Sequence, residues 1–77
     1  MSQQTMLAVI KAATGDDCQS VFKYEVEPGG WQLLLCNSSK SSYRLNESLK
    51  VEELRRIDGE TGKIDIWKFI DKQWRLQ

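Results

Sequence analysis

Residues 51–70 of the chain read VEELRRIDGETGKIDIWKFI. If residues 59–62 form a four-residue loop, the residues on either side pair in a single register as antiparallel strands. In that register opposite charges or apolar side chains face each other in Asp58 with Lys63, Ile57 with Ile64, Arg56 with Asp65, Leu54 with Trp67, Glu53 with Lys68 and Val51 with Ile70. Because cross-strand pairs stabilise a sheet only when they share one register, this agreement predicts a β-hairpin.

The same stretch also fits helical spacing, and that alternative stays open. Apolar residues recur at every third position in its first half, which would suit a helix over residues 48–58. In its second half they recur at helical intervals up to Trp74, which would suit a terminal helix. Residues 72–77 are then either a last short strand or the end of that helix.

The beginning of the sequence predicts a short helix over residues 2–14. Ser2 is a favoured N-cap residue, and Gly15 suits the left-handed position at which helices end. An edge strand is the alternative for these residues, since their apolar side chains also alternate. Frequent alanine and glutamine and few β-branched residues favour the helix.

A first strand is predicted over residues 21–27, where apolar and charged side chains alternate. The expectation is that Phe22, Tyr24 and Val26 form its buried side. Residues 28–30, a proline followed by two glycines, predict a hairpin turn.

A second strand is predicted over residues 31–37, and its three consecutive leucines suggest that it is covered on both faces. A polar connection over residues 38–42 then leads to a short third strand over residues 43–45. The whole chain, 1–77, is expected to be one domain of the α+β class. We expect a short N-terminal helix and a curved antiparallel sheet of about five strands, either open or rolled into a small open barrel.

The composition excludes several kinds of catalytic and metal site. There is no histidine, so neither a Ser-His-Asp nor a Cys-His nucleophile system can be built. Two cysteines without histidine do not supply the four ligands of a zinc site. Adjacent Asp16 and Asp17 are expected to be solvated in a turn. We therefore expect no catalytic residue, no metal and no cofactor, and we expect that the protein is not an enzyme.

The sequence also carries an expectation about location. No apolar run approaches the roughly 20 residues of a membrane helix, and the first residues lack the basic start of a signal peptide. A cytoplasmic location follows as the prediction. In that compartment Cys18 and Cys36 would be free, reduced thiols.

Aromatic and basic residues are the candidates for binding. Of the three tryptophans, Trp31 and Trp67 are expected in the core, whereas Trp74 either packs back on the sheet or lies exposed as a contact. Tryptophan and arginine are enriched at binding hot spots, which makes Trp74 and Arg75 the first candidates. The full candidate set is Trp74, Arg75, Lys72, Lys68, Arg44, Tyr43 and Lys40.

Two functions from different classes are expected to compete. The leading one is a small, non-catalytic, cytoplasmic protein-interaction module, an inhibitor or adaptor that binds another protein through this set. A net charge of zero and an exposed sheet edge also make self-association as a homodimer an open expectation. The alternative is a nucleic-acid-binding regulator, in which basic side chains meet phosphates and rings on a curved sheet stack on bases.

Overall fold

The computed structural model describes residues 2–37 and 40–77 and shows one helix and a six-stranded antiparallel sheet in that part of the chain. The elements are α1 (Gln3–Thr14), β1 (Val21–Glu27), β2 (Trp31–Cys36), β3 (Ser42–Asn46), β4 (Glu53–Ile57), β5 (Ile64–Ile70) and β6 (Gln73–Leu76). Strands that follow each other in sequence are neighbours in the sheet, from β1 at one edge to β6 at the other. The α+β prediction is confirmed, with more strands than expected, and the sheet does not close into a barrel.

Helix α1 has both of the caps that the sequence predicted. The Ser2 side-chain oxygen accepts a hydrogen bond from the backbone N–H of Thr5. At the other end Gly15 takes a φ of 80°, and its N–H donates to the carbonyl of Lys11. Only a residue that tolerates the left-handed region ends a helix in this way at low cost, so the glycine is required here. The edge-strand alternative for these residues is wrong.

The sheet curves around α1, which packs against both β1 and β6. We call the side of the sheet that faces α1 the concave face and the other side the convex face. On the concave face the helix and the strands enclose one buried cluster, made of Met6, Ile10, Val21, Leu34, Cys36, Tyr43, Leu45 and Leu54. The predicted curvature is therefore confirmed. The helix covers the apolar concave face, which in a closed barrel the strands would enclose by themselves.

The β4–β5 hairpin has the predicted register. Leu54 lies opposite Trp67, and Arg56 lies opposite Asp65. Both helical alternatives over these residues are wrong, because the chain forms strands there and again over Gln73–Leu76. Only the Val51 pairing differs, since β4 begins at Glu53.

The buried side of β1 differs from the prediction. Val21 is buried, whereas Phe22 and Val26 are 52 % and 64 % exposed. The pairing of β1 with β2 shifts between Lys23 and Glu25, which is the mark of a β-bulge and breaks the simple alternation. The expectation that Phe22 and Val26 are buried is wrong, and the side chain of Tyr24 lies outside the described residues.

The leucine run of β2 is buried on one face only. Leu34 is fully buried on the concave face, while Leu33 and Leu35 are half-buried on the convex face, where no helix lies among the described residues. The prediction of cover on both faces is therefore wrong for the convex face. Of the polar connection that follows, residues 38 and 39 lie outside the described residues.

The two cysteines form a disulfide, so the expectation of free thiols is wrong. Cys18 lies just before β1 and Cys36 ends β2, and their Cα atoms are 5.9 Å apart. This distance is typical of a disulfide. The bond ties the chain between α1 and β1 to the second strand.

In the described part of the chain, α1 is too short to reach across a bilayer.

Candidate functional site

Strand β6 forms one edge of the sheet, and the direction of its backbone groups follows from one hydrogen bond. The N–H of Gln77 donates to the carbonyl of Ile66 in β5, at 2.8 Å. Because backbone groups alternate in direction along an antiparallel strand, the N–H groups of Arg75 and Gln73 also point to β5. Those of Trp74 and Leu76 then point away from the sheet. We call this row of outward backbone groups the outer edge of β6.

The outer edge of β6 has no backbone partner among the described residues. Outside the strand ladders and the helix, none of the backbone hydrogen bonds recorded for those residues reaches Trp74 or Leu76. The strand is exposed along most of its length, and Leu76 is 63 % exposed. An edge of this kind is a template on which another extended chain can add a strand.

Aromatic side chains lie beside this edge on the concave face. Trp74 packs against the core cluster and is half-buried, so the expectation that it packs back on the sheet is the one that holds. Its ring lies 5.1 Å from that of Phe69 in a tilted arrangement. This distance and tilt are favourable for a pair of rings. Phe69 remains 38 % exposed, so the edge has an apolar surface on this side.

Basic side chains lie beside the edge on the convex face. Lys68 follows the buried Trp67 in β5 and therefore points to the opposite face, and Arg75 lies directly across from it in β6. Neither side chain has an ion pair among those found for residues 2–37 and 40–77. The nearest acid in register, Glu53, is paired with Arg55 instead. Two unpaired cations therefore face each other at the edge.

The turn before β6 has an unusual backbone. Asp71 and Lys72 have φ angles of 53° and 63°, which is the pattern of a type I′ hairpin turn. Such turns favour glycine or asparagine, and the left-handed region is uncommon for lysine. Lys72 is held there with its side chain exposed, in the turn that joins the strands of Lys68 and Arg75.

The other candidates do not join this group. Tyr43 is fully buried, so its ring forms no exposed contact surface. Arg44 lies in β3 and forms an ion pair with Glu27. Lys40 is paired with Glu60 of the β4–β5 loop. The structure therefore brings together four of the seven candidates: Lys68, Lys72, Trp74 and Arg75.

A polar network, of which the sequence predicted only the pair of Arg56 with Asp65, crosses the centre of the molecule. Asp16 accepts a hydrogen bond from the hydroxyl of Tyr43 at 2.8 Å and two from the guanidinium of Arg56, at 3.1 and 3.0 Å. Arg56 also donates to Asp65 and lies over the ring of Trp67. The network ties the chain after α1 to β3, β4 and β5. The expectation that Asp16 is simply solvated is wrong.

The charges in this network stabilise each other. Burial alone would raise the pKa of Asp16, but hydrogen bonds from Tyr43 and Arg56 and the positive charge of Arg56 outweigh burial, so its pKa lies below the ordinary value. Every charged member has an opposite charge beside it. The arrangement is therefore suited to holding the fold together.

A groove lies beside the disulfide. Its volume is about 320 Å³, and it is lined by α1 and by the chain that follows it. Its lysine, Lys11, is paired with Asp17, which lies on the same groove. Among residues 2–37 and 40–77 no cluster of acidic and cysteine side chains could hold a metal ion.

Comparisons with protein-family models, with curated proteins and with solved structures give no match for this chain.

Proposed function

We propose that this protein is a small, non-catalytic interaction module that binds an extended segment of another protein along the outer edge of β6. The observation that carries the proposal is the outward row of backbone groups at Trp74 and Leu76. Bound in this way, a partner strand would gain backbone hydrogen bonds from the edge and side-chain contacts on both faces of the sheet. The role of an inhibitor or adaptor is compatible with such binding.

The position of the rings and cations favours a protein over a nucleic acid as the partner. A binder of single strands places its rings and its cations along one groove, so that bases stack while phosphates are neutralised. Here Phe69 and Trp74 lie on the concave face, while Lys68 and Arg75 lie on the convex face. Beside the outer edge of β6, a nucleic acid strand on either face would meet only one of these two kinds of side chain.

The cytoplasmic location stays a prediction from the sequence. The Cys18–Cys36 disulfide counts against it, because such bonds are rare in reducing compartments. The disulfide joins the chain before β1 to β2, whereas β6 lies at the opposite edge of the sheet. Strand addition at β6 therefore does not depend on whether the compartment keeps the disulfide oxidised.

The experiment is an affinity selection from a displayed library of random peptides, with a variant that blocks only the outer edge. Leu76→Pro removes a backbone N–H that points outward, and proline is tolerated at such edge positions. Leu76→Ala is the matched control, because it shortens the same side chain but keeps the N–H. Thermal unfolding of both variants verifies that they fold.

We expect peptides selected by the native protein to bind Leu76→Ala somewhat more weakly, because an apolar contact is shortened, and to lose binding to Leu76→Pro altogether. If peptides bind native protein and Leu76→Pro equally well, they do not use the outer edge of β6 and the proposal is wrong. If the selection recovers no peptide from the native protein, the proposal is wrong as well.

A further inference from the structure

We infer that the segment bound at β6 is an extended strand with an acidic residue between two apolar residues, and that it comes from a different protein and not from a second copy. This inference rests on the proposed function and specifies the chemistry of the partner. Three features of the edge carry it: the facing cations, the apolar side chains on the other face and the alternation of the backbone.

The position of the acidic residue follows from the register. The N–H of Arg75 points to β5, so a partner residue opposite Arg75 lies in a non-hydrogen-bonded pair, where side chains are closest. That residue shares the convex face with Arg75 and Lys68, which face each other and form no ion pair among those of the described residues, since Glu53, across from Lys68 in β4, is paired with Arg55. A glutamate or aspartate there relieves a like-charge pair that is otherwise unfavourable.

The positions of the partner's apolar residues follow from the alternation of side chains along a strand. The partner residues before and after the acid point to the concave face, opposite Trp74 and Leu76. Leu76 is largely exposed there, and the exposed part of Phe69 lies beside Trp74. Apolar side chains at these two positions remove that surface from water.

A second copy of the chain does not fit this description. Antiparallel pairing of two β6 strands with the most backbone hydrogen bonds places Trp74 opposite Leu76 of the other copy. The two-fold axis then passes through Arg75, which faces its own equivalent. With Lys68 of each copy alongside, four cations lie in one row. Like charges directly opposite destabilise a strand pair, so the edge disfavours its own copy.

The test uses two synthetic peptides of about eight residues, a length that covers an edge strand. Both alternate threonine and valine around one central position, which is glutamate in the first peptide and lysine in the second. Their binding is measured by fluorescence anisotropy with the native protein and with Arg75→Glu. That variant places an acid opposite Lys68, which favours the β5–β6 pairing, so it is expected to fold. Amide chemical shifts of Trp74 and Leu76 locate the bound peptide.

With the native protein, we expect the glutamate peptide to bind about tenfold more tightly than the lysine peptide, from one gained and one avoided charge contact. With Arg75→Glu the preference should disappear or reverse. Equal binding of both peptides, or an unchanged preference in Arg75→Glu, would overturn the acidic partner while leaving edge binding intact. Binding of neither peptide, or a dimer through β6 in sedimentation, would overturn it too. The proposed function fails separately, through the Leu76→Pro comparison.

Discussion

The two edges of the sheet are built in opposite ways. At one edge, β1 has a bulge between Lys23 and Glu25, and the disulfide fixes the chain before β1 to β2. At the other edge, β6 is a short regular strand whose outward backbone groups have no backbone partner in the described part of the chain. It is held by a hairpin turn and by the packing of Trp74.

The difference shows how a small sheet can control where it associates. A bulge bends the edge and interrupts the row of hydrogen-bonding groups, so β1 is a poor template for another strand. The outer edge of β6 has no such interruption, and cations are its main protection against its own copy. An edge that is protected only by its charge disfavours a partner strand of like charge and favours one of opposite charge.

The largest effect is expected from removing the disulfide beside the β1 edge. Replacing both Cys18 and Cys36 by alanine frees a loop of 18 residues. The free energy of unfolding should fall by about 3 kcal/mol. Urea denaturation of the variant and of the native protein, with and without reductant, measures the loss. A urea midpoint of the native protein that does not change on reduction would show that the disulfide does not constrain the fold. Binding at the outer edge of β6 should be the same in the variant as in the native protein.

A smaller loss of stability is expected at the β6 edge from Trp74→Ala. Removing a half-buried tryptophan should lower the free energy of unfolding by about 2 kcal/mol, less than for a fully buried ring. Gln73→Ala is the control, since Gln73 is an exposed neighbour on the same strand. Thermal unfolding of the two variants compares them. If they are equally stable, Trp74 does not hold β6.

The central network should respond to acid in a direction fixed by Asp16. Because its pKa in the folded protein lies below the ordinary 3.8, its stabilising effect is present at neutral pH and is lost as pH falls below that value. Asp16→Asn should cost about 1–2 kcal/mol at neutral pH, since the side chain is partly exposed. Denaturation across the acid range should show a smaller pH dependence in the variant. The same acid slope in both proteins would contradict this role.

The smallest effect, and the only gain, is expected at the β5–β6 turn. Lys72→Gly removes the backbone strain of a lysine in the left-handed region and should raise the free energy of unfolding by about 0.5–1 kcal/mol. Lys50→Gly, at an exposed site for which no positive φ is found, should give no such gain. Thermal melting of both variants provides the comparison. A loss in Lys72→Gly would mean that the lysine side chain contributes more than its backbone costs.

The parts of the fold that the sequence predicted are those set by local pattern. The caps at Ser2 and Gly15 and the register around residues 59–62 involve residues close in sequence, so side-chain chemistry alone identifies them. The inward side of β1 was missed, because the bulge is a backbone feature with no glycine or proline to mark it. The turn at Asp71 and Lys72 was missed for a similar reason.

The site was predicted in part. Trp74 and Arg75 were found because their residue types are common at interfaces, and Lys68 and Lys72 because they are close in sequence. The separation of rings and cations onto two faces depends on the strand assignment of residues 64–76, which the sequence left open. The Asp16–Arg56 contact spans 40 residues, and no local pattern points to it.

Amide hydrogen exchange along β6, measured by NMR with and without the glutamate peptide, is the most direct test of whether the outer edge of β6 is free to bind a strand. In the free protein, Arg75 and Gln77 should exchange slowly and Trp74 and Leu76 quickly, because only the first two N–H groups bond to β5. The peptide should slow exchange at Trp74 and Leu76. Slow exchange at all four amides in the free protein would show that the outer edge of β6 is already covered, and would rule out the addition of a partner strand there.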